Sequence, residues 1–191
     1  DNPDSCWITM NNGQVLLHTS SKSKTFSISH TINNLHTNNK QLYAADNHKL
    51  YAGPIPSDKE NKIRLKQILT IPDSASFGGR FVNDPYGNVI FFEMRNIGVL
   101  NNEKLLFTYP SGFYDLIEGM YINSNKELCV VSRSMGLQVF SLHPENPAGY
   151  LTKKAGFVKE FEHASPRCIT VDNNGILWAG TRYHGLMGFE Y

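Results

Sequence analysis

The chain has 191 residues, enough for one well-filled core, and a formal charge of +1 with 18 Lys and Arg scattered among 17 Asp and Glu. That distribution excludes the basic stripe of a nucleic-acid binder and the polybasic patch of a membrane anchor, and no apolar run is long enough to insert in a bilayer. Hydrophobic residues make up 40% and charged residues 18%, with 9 Tyr, 11 Phe and frequent Asn, a mixture that favours strands and tight turns and predicts a single compact all-β unit.

In chain order, the first unit spans about 1–32 and opens on DNPDSCWITMNNGQVLLHT, with TFSIS (25–29) as its outer strand. This opening has no basic region followed by an apolar stretch, as in a mature or excised chain. The second unit, near 33–79, contains NNLHTNNKQLYAADNHKLYAG (33–53), and SDKENKIRLKQIL (57–69) reads as a charged loop running into the outer strand LKQILTI (65–71). The third, near 80–117, pairs RFVNDPYGNVIFFEMRNIGVL (80–100) with KLLFTY (104–109). The fourth, near 118–165, holds MYINSNKELCVVSRSMGLQVF (120–140) and the strand candidate GFVKEF (156–161). The fifth, 166–191, is dominated by ITVDNNGILWAGTRYHGLMGFEY.

Aligning these units on Cys6, Leu42, Val89, Leu128 and Leu177 gives spacings of 36, 47, 39 and 49 residues. Asp84 and Gly87 then match Asp172 and Gly175, and Gly98 and Gly136 match Gly185. With the outer strands counted, each unit holds about four short strands separated by Asn, Asp and Gly turns, and no segment sustains a helical period. The prediction is an all-β β-propeller of about five four-stranded blades, or a consecutive-blade fragment of a larger propeller. On this alignment the chain starts at the second strand of one blade and ends at the third strand of another, so closure is either abbreviated or shared with further blades.

The last unit carries a recognisable pattern in Asp172, Gly175, Leu177, Trp178, Gly180, Thr181, Gly185, Leu186 and Phe189. It resembles the two-component regulator propeller repeat of the extracytoplasmic sensing regions of bacterial hybrid histidine kinases, notably those responding to carbohydrates. Streptogramin-type lyases have a similar blade signature. The units at 80–100 and 120–140 lack the Trp and the Gly-Thr pair. The resemblance implies an extracytoplasmic, periplasmic sensor for a small-molecule or oligosaccharide ligand, working as a homodimer or with the remaining blades of a larger chain. It implies no cofactor.

Function in such a fold sits in the loops that enter each first strand and join the second strand to the third. Arg95, Arg133 and Arg182 each precede a repeat glycine by three residues, and Arg80 and Arg167 open first strands, with Glu118 near the corresponding place. Converging guanidinium groups suit a carboxylate, sulfate or phosphate, so these arginines form a candidate anion site; the plainer reading is that each pairs with a neighbouring acid and ties blades together. Tyr183, Phe113, Tyr114 and Phe77 offer stacking surfaces beside them, and His184 reads as a solvated loop residue. Trp7, Trp178, Phe91 and Phe92 fall on strands and are expected in packing.

Asp84 and Asp172 read as caps of tight turns rather than paired catalytic carboxylates. Cys129 and Cys168 sit in strand-like runs and read as small buried hydrophobes, while the odd count of Cys6, Cys129 and Cys168 excludes full pairing within the chain. No GxSxG, HExxH, Walker or GxGxxG motif is present, and the seven histidines show no repeating ligand spacing, so no metal is expected. The leading expectation is a non-enzymatic sensing propeller. The alternatives are a lyase or hydrolase with a metal-assisted site at the channel mouth, and a protein-interaction scaffold.

Overall fold

The computed structural model describes residues 5–10, 14–38, 41–71, 77–93, 96–110, 117–133, 135–154, 164–172 and 174–189. Every sheet is an antiparallel meander in which chain neighbours pair. The packing divides the chain into two compact units, Asp1–Gly79 and Arg80–Tyr191.

In the first unit, β1 (Ser5–Met10), β2 (Gln14–Thr19) and β3 (Ser23–Ser27) form a three-stranded sheet. Beside it, β4 (Asn34–Thr37), β5 (Gln41–Ala45), β6 (Lys49–Pro54) and β7 (Lys66–Thr70) form a four-stranded one. Val15, Phe26, Ile28, Leu42 and Ile63 fill the core between them, and Trp7 packs at its margin with its ring 5.8 Å from that of Phe26. The stretch 57–65 is loop and enters β7, as the charged sequence predicts.

The second unit has two four-stranded sheets and a three-stranded one. The first holds β8 (Phe77–Asn83), β9 (Val89–Glu93), β10 (Asn96–Asn101) and β11 (Lys104–Pro110). The next holds β12 (Ile117–Ile122), β13 (Leu128–Ser132), β14 (Gly136–Leu142) and β15 (Leu151–Lys153). The last holds β16 (Pro166–Val171), β17 (Leu177–Thr181) and β18 (Leu186–Phe189). The outer strand paired to β14 is thus the three-residue β15, reached through a 3-10 turn at Pro147–Gly149. GFVKEF (156–161) lies outside the described residues.

Strand β13 shows why the sheets stack face to face. Its residues alternate sides, as a strand must. Leu128 and Val130 join a core with Ile90, Phe92, Ile97, Val99 and Phe140, while Cys129 and Val131 join another with Leu177 and Ala179. Both faces are covered, so the strand reads as an unbroken apolar run LCVVS.

One turn recurs between first and second strands. Asn38 accepts the backbone N–H of Gln41, Asp84 those of Tyr86 and Asn88, Asn123 that of Glu127, and Asp172 those of Asn174 and Ile176. The residue three beyond the cap needs positive φ in three of these turns, a seat held by Gly87 (φ 87°), Gly175 (φ 83°) and, without a glycine, Lys126 (φ 61°). The turn role read for Asp84 and Asp172 is what the structure contains.

Two expectations need correction. Gly98 does not match the turn glycine Gly185: it lies within β10 opposite Phe91, whose ring occupies the place where a Cβ would stand. Cys168 is exposed rather than buried, because β16 alternates and Ile169, not Cys168, faces the core; Cys129 is fully buried as expected.

Candidate functional site

A meander brings the start of its first strand and the turn between its second and third strands to one end of the sheet. Glu118 is the second residue of β12, Arg133 follows β13, and Arg167 is the second residue of the neighbouring β16. Here the three side chains meet. The Glu118 carboxylate, with its side chain only 11% exposed, accepts from Arg133 Nε and from Arg167 Nη1 on the same Oε1, the latter at 3.3 Å. Two guanidinium groups on one carboxylate leave a surplus of one positive charge, and both arginines stay partly open to solvent.

The other predicted residues sit apart from this group. The backbone N–H of Arg182 donates to Ser165 O at 3.1 Å, which ties the β17–β18 turn to the residue just before β16. The Arg182 guanidinium lies over the Tyr183 ring, 5.3 Å from its centroid, and Tyr183 is 67% exposed. His184 is exposed in the same turn, its backbone N–H donating to Thr181 Oγ1 at 2.9 Å. Arg80 is the fourth residue of β8, which begins at Phe77, so it does not open the strand; it is exposed. Arg95, Phe113 and Tyr114 lie outside the described residues. Of the strand aromatics, Phe91 and Phe92 are buried, and Trp178 Nε1 donates to Asp172 Oδ2 at 3.0 Å.

In the first unit the corresponding end of the second sheet holds an open cavity of about 500 Å³, between the β3–β4 loop and the β5–β6 turn. Ser29, His30 and Thr31 line it from the loop, and Asp46, His48, Lys49 and Tyr51 from the turn and β6. Asp46 Oδ1 accepts the backbone N–H groups of His48 and Lys49 at 2.7 and 2.6 Å, and Oδ2 accepts the Tyr51 hydroxyl at 2.9 Å. The His30 ring stacks on the buried Tyr51 ring, with centroids 4.4 Å apart. No arginine is among the described residues that line this cavity. The available signal was that DNHK (46–49) occupies the same repeat turn as Arg133 and Arg182.

Burial works to raise the Asp46 carboxyl, but hydrogen bonds from His48, Tyr51 and Lys49 and the charge of Lys49 together hold it below the usual carboxylate range. Burial, with the Asp46 hydrogen bond second, pushes the Tyr51 phenol up to about 12. A carboxylate whose folded value lies below its unfolded one contributes stability above the unfolded value and loses it as pH falls through the folded one. Thermal midpoints measured from neutral pH down through the carboxylate range should therefore fall less steeply for Asp46→Asn than for the parent. Parallel curves would show that Asp46 carries none of the acid dependence.

Among the described residues, no group of three or more His, Cys, Asp or Glu stands where it would hold a metal ion, and no helix is long and apolar enough to cross a membrane.

No family model and no curated protein matches the chain. Solved structures do. Virginiamycin B lyase from Staphylococcus aureus is 14% identical with a TM-score of 0.66, over 100% of this chain and 67% of that one. A luciferin-regenerating enzyme is 11% identical with a TM-score of 0.69, over 98% of this chain and 68% of that one. The extracellular domain of the putative hybrid two component system BT4673 from B. thetaiotaomicron is 17% identical with a TM-score of 0.65, over 100% of this chain and 26% of that one. The chain therefore spans about two thirds of the two enzymes and about a quarter of the BT4673 extracellular domain. Identities this low speak to fold alone, and the fold is a β-propeller.

Proposed function

We propose that the chain is a ligand-binding propeller segment of an extracytoplasmic two-component-type receptor, taking a carbohydrate or small anionic ligand. The observation that carries the ligand half is the convergence of Arg133 and Arg167 on Glu118, where one carboxylate meets two guanidinium groups. Guanidinium forks with surplus charge recognise a planar anion such as a carboxylate. The receptor half is supported by the repeat residues Asp172 to Phe189 and by the likeness to the BT4673 extracellular domain. An enzymatic reading has support from two neighbours that are enzymes, but propellers host binding and catalysis alike.

Thermal-shift titration with neutral and acidic oligosaccharides tests the ligand half. An acidic ligand should stabilise the parent, and Arg133→Ala or Arg167→Ala should weaken it by about tenfold, the worth of one charge-assisted hydrogen bond. Equal shifts for the parent and both variants would remove the arginine group from the proposal. Chemical turnover of the ligand would favour the enzyme. The flanking coding sequence tests the receptor half: a membrane span with a kinase segment supports it, and a gene lacking both defeats it.

A further inference from the structure

The cavity of the first unit stands on residues separate from the arginine group, and its chemistry points to a particular ligand. Its one carboxylate is occupied: Asp46 already takes two backbone N–H groups and the Tyr51 hydroxyl. The amides of Asn33 and Asn47 also line the cavity and are joined to each other, Asn33 Nδ2 donating to Asn47 Oδ1 at 2.6 Å. Lys49 lines it, is exposed, and, though its charge acts on Asp46, has no carboxylate within ion-pair distance among the described residues. The hydroxyls of Ser29 and Thr31 line it as well.

His48 adds a second donor. Its Nδ1 is enclosed and has no hydrogen-bond partner among the described residues. An enclosed N–H without an acceptor is rarer and costlier than an enclosed bare lone pair. The neutral ring therefore keeps its proton on Nε2. His30 and Tyr51 both line the cavity, their rings stacked with centroids 4.4 Å apart, which gives the lining an aromatic patch.

We infer that this cavity is a second ligand site, for a small carboxylate with a hydroxylated body: the carboxylate at Lys49 and His48 Nε2, the hydroxyls at Ser29 and Thr31, and the carbon face against His30. The Lys49 ammonium and the His48 donor select the carboxylate, and the aromatic patch of His30 and Tyr51 with the neighbouring hydroxyls selects a ring-sized polar body.

Isothermal titration of the whole chain with D-glucuronate, and with D-glucose as its uncharged counterpart, reads the site. Glucuronate should bind saturably, with glucose weaker by about tenfold, since the carboxylate makes the charge-assisted contacts. Lys49→Ala should remove most of that difference. His48→Gln, which retains a donor, should keep more affinity than His48→Phe, and Arg133→Ala should bind as the parent does. The inference fails if glucuronate gives no saturable heat, if glucose binds the parent as well as glucuronate does, or if Arg133→Ala loses the binding that Lys49→Ala keeps. The last outcome would leave the arginine site standing and remove this one.

Discussion

Replacing Asp84 with alanine should lower unfolding stability by about 3 kcal/mol and the thermal midpoint by roughly 6–12 °C. The reason is the number of buried groups that lose a partner together. Asp84 is 6% exposed; Oδ1 accepts the N–H groups of Tyr86 and Asn88, and Oδ2 accepts Asn88 Nδ2 and the Tyr150 hydroxyl. Asn88 Nδ2 donates onward to Tyr150 Oη at 2.7 Å, and Asn88 Oδ1 accepts from Asn101 at 2.7 Å. Tyr150, just before β15, is thereby tied to the β8–β9 turn of the adjacent sheet. Burial and then the bond to Asp84 drive its phenol well above the ordinary tyrosine range. Removing the carboxylate strands a buried amide N–H and a buried hydroxyl, each costing about 1–3 kcal/mol when unsatisfied.

Asp172 makes the same turn bonds at the same repeat position, yet its second oxygen takes the partly exposed Trp178 Nε1 instead of a buried amide and hydroxyl. Water can replace those bonds, so Asp172→Ala should cost distinctly less, and Tyr150→Phe should fall between the two. Calorimetric unfolding of the three variants ranks them. Equal losses for Asp84→Ala and Asp172→Ala would show that the buried network adds nothing to the shared turn.

That contrast also marks how far the sequence could be read. The repeat, the strands and the capped turns were legible because they rest on local chemistry. An Asp or Asn cap three residues ahead of Gly87, Gly175 or, in the glycine-free turn, Lys126, followed by an apolar run such as VIFF or LCVV, specifies a turn and a strand covered on both faces without knowledge of distant residues. Features that depend on register or on distant partners were less accessible. Gly98 and Gly185 look alike in sequence, but one accommodates the Phe91 ring across a strand pair and the other a positive φ of 67° in a turn. Cys168 looks buried within RCITV, yet the alternation of β16 turns it outward.

The site divides the same way. The positions of Arg133, Arg167 and Glu118 followed from the repeat, whereas their sharing of one carboxylate oxygen is a tertiary fact linking residues up to 49 apart in sequence. The first-unit cavity escaped because His30 and Asp46 through Lys49 come from different loops and repeat no motif found elsewhere in the chain. Their equivalence to the arginine turns is positional and leaves no compositional trace.

Phe140→Ala should be the other severe substitution, with a loss of about 3–5 kcal/mol. Phe140 is fully buried on β14, where it pairs with Leu128 and meets the Tyr109 ring edge-on at 5.2 Å. Its cluster draws Ile90, Phe92, Ile97 and Val99 from one sheet and Ile117, Leu128, Val130 and Leu151 from the next. A cavity there removes contact from both faces at once, and strands fixed by their own ladders have little freedom to collapse into it. Phe140→Leu keeps much of the volume and should recover over half of the loss. Because neither sheet can bury its apolar face alone, the defect should also weaken both together, as in any array held by nearest-neighbour packing. Hydrogen exchange then gives the decisive comparison: in Phe140→Ala, the amides of β9 and β13 should lose protection in parallel. Loss confined to the strands of its own sheet would mean that the sheets are stable separately and that the stacked core is not what holds them.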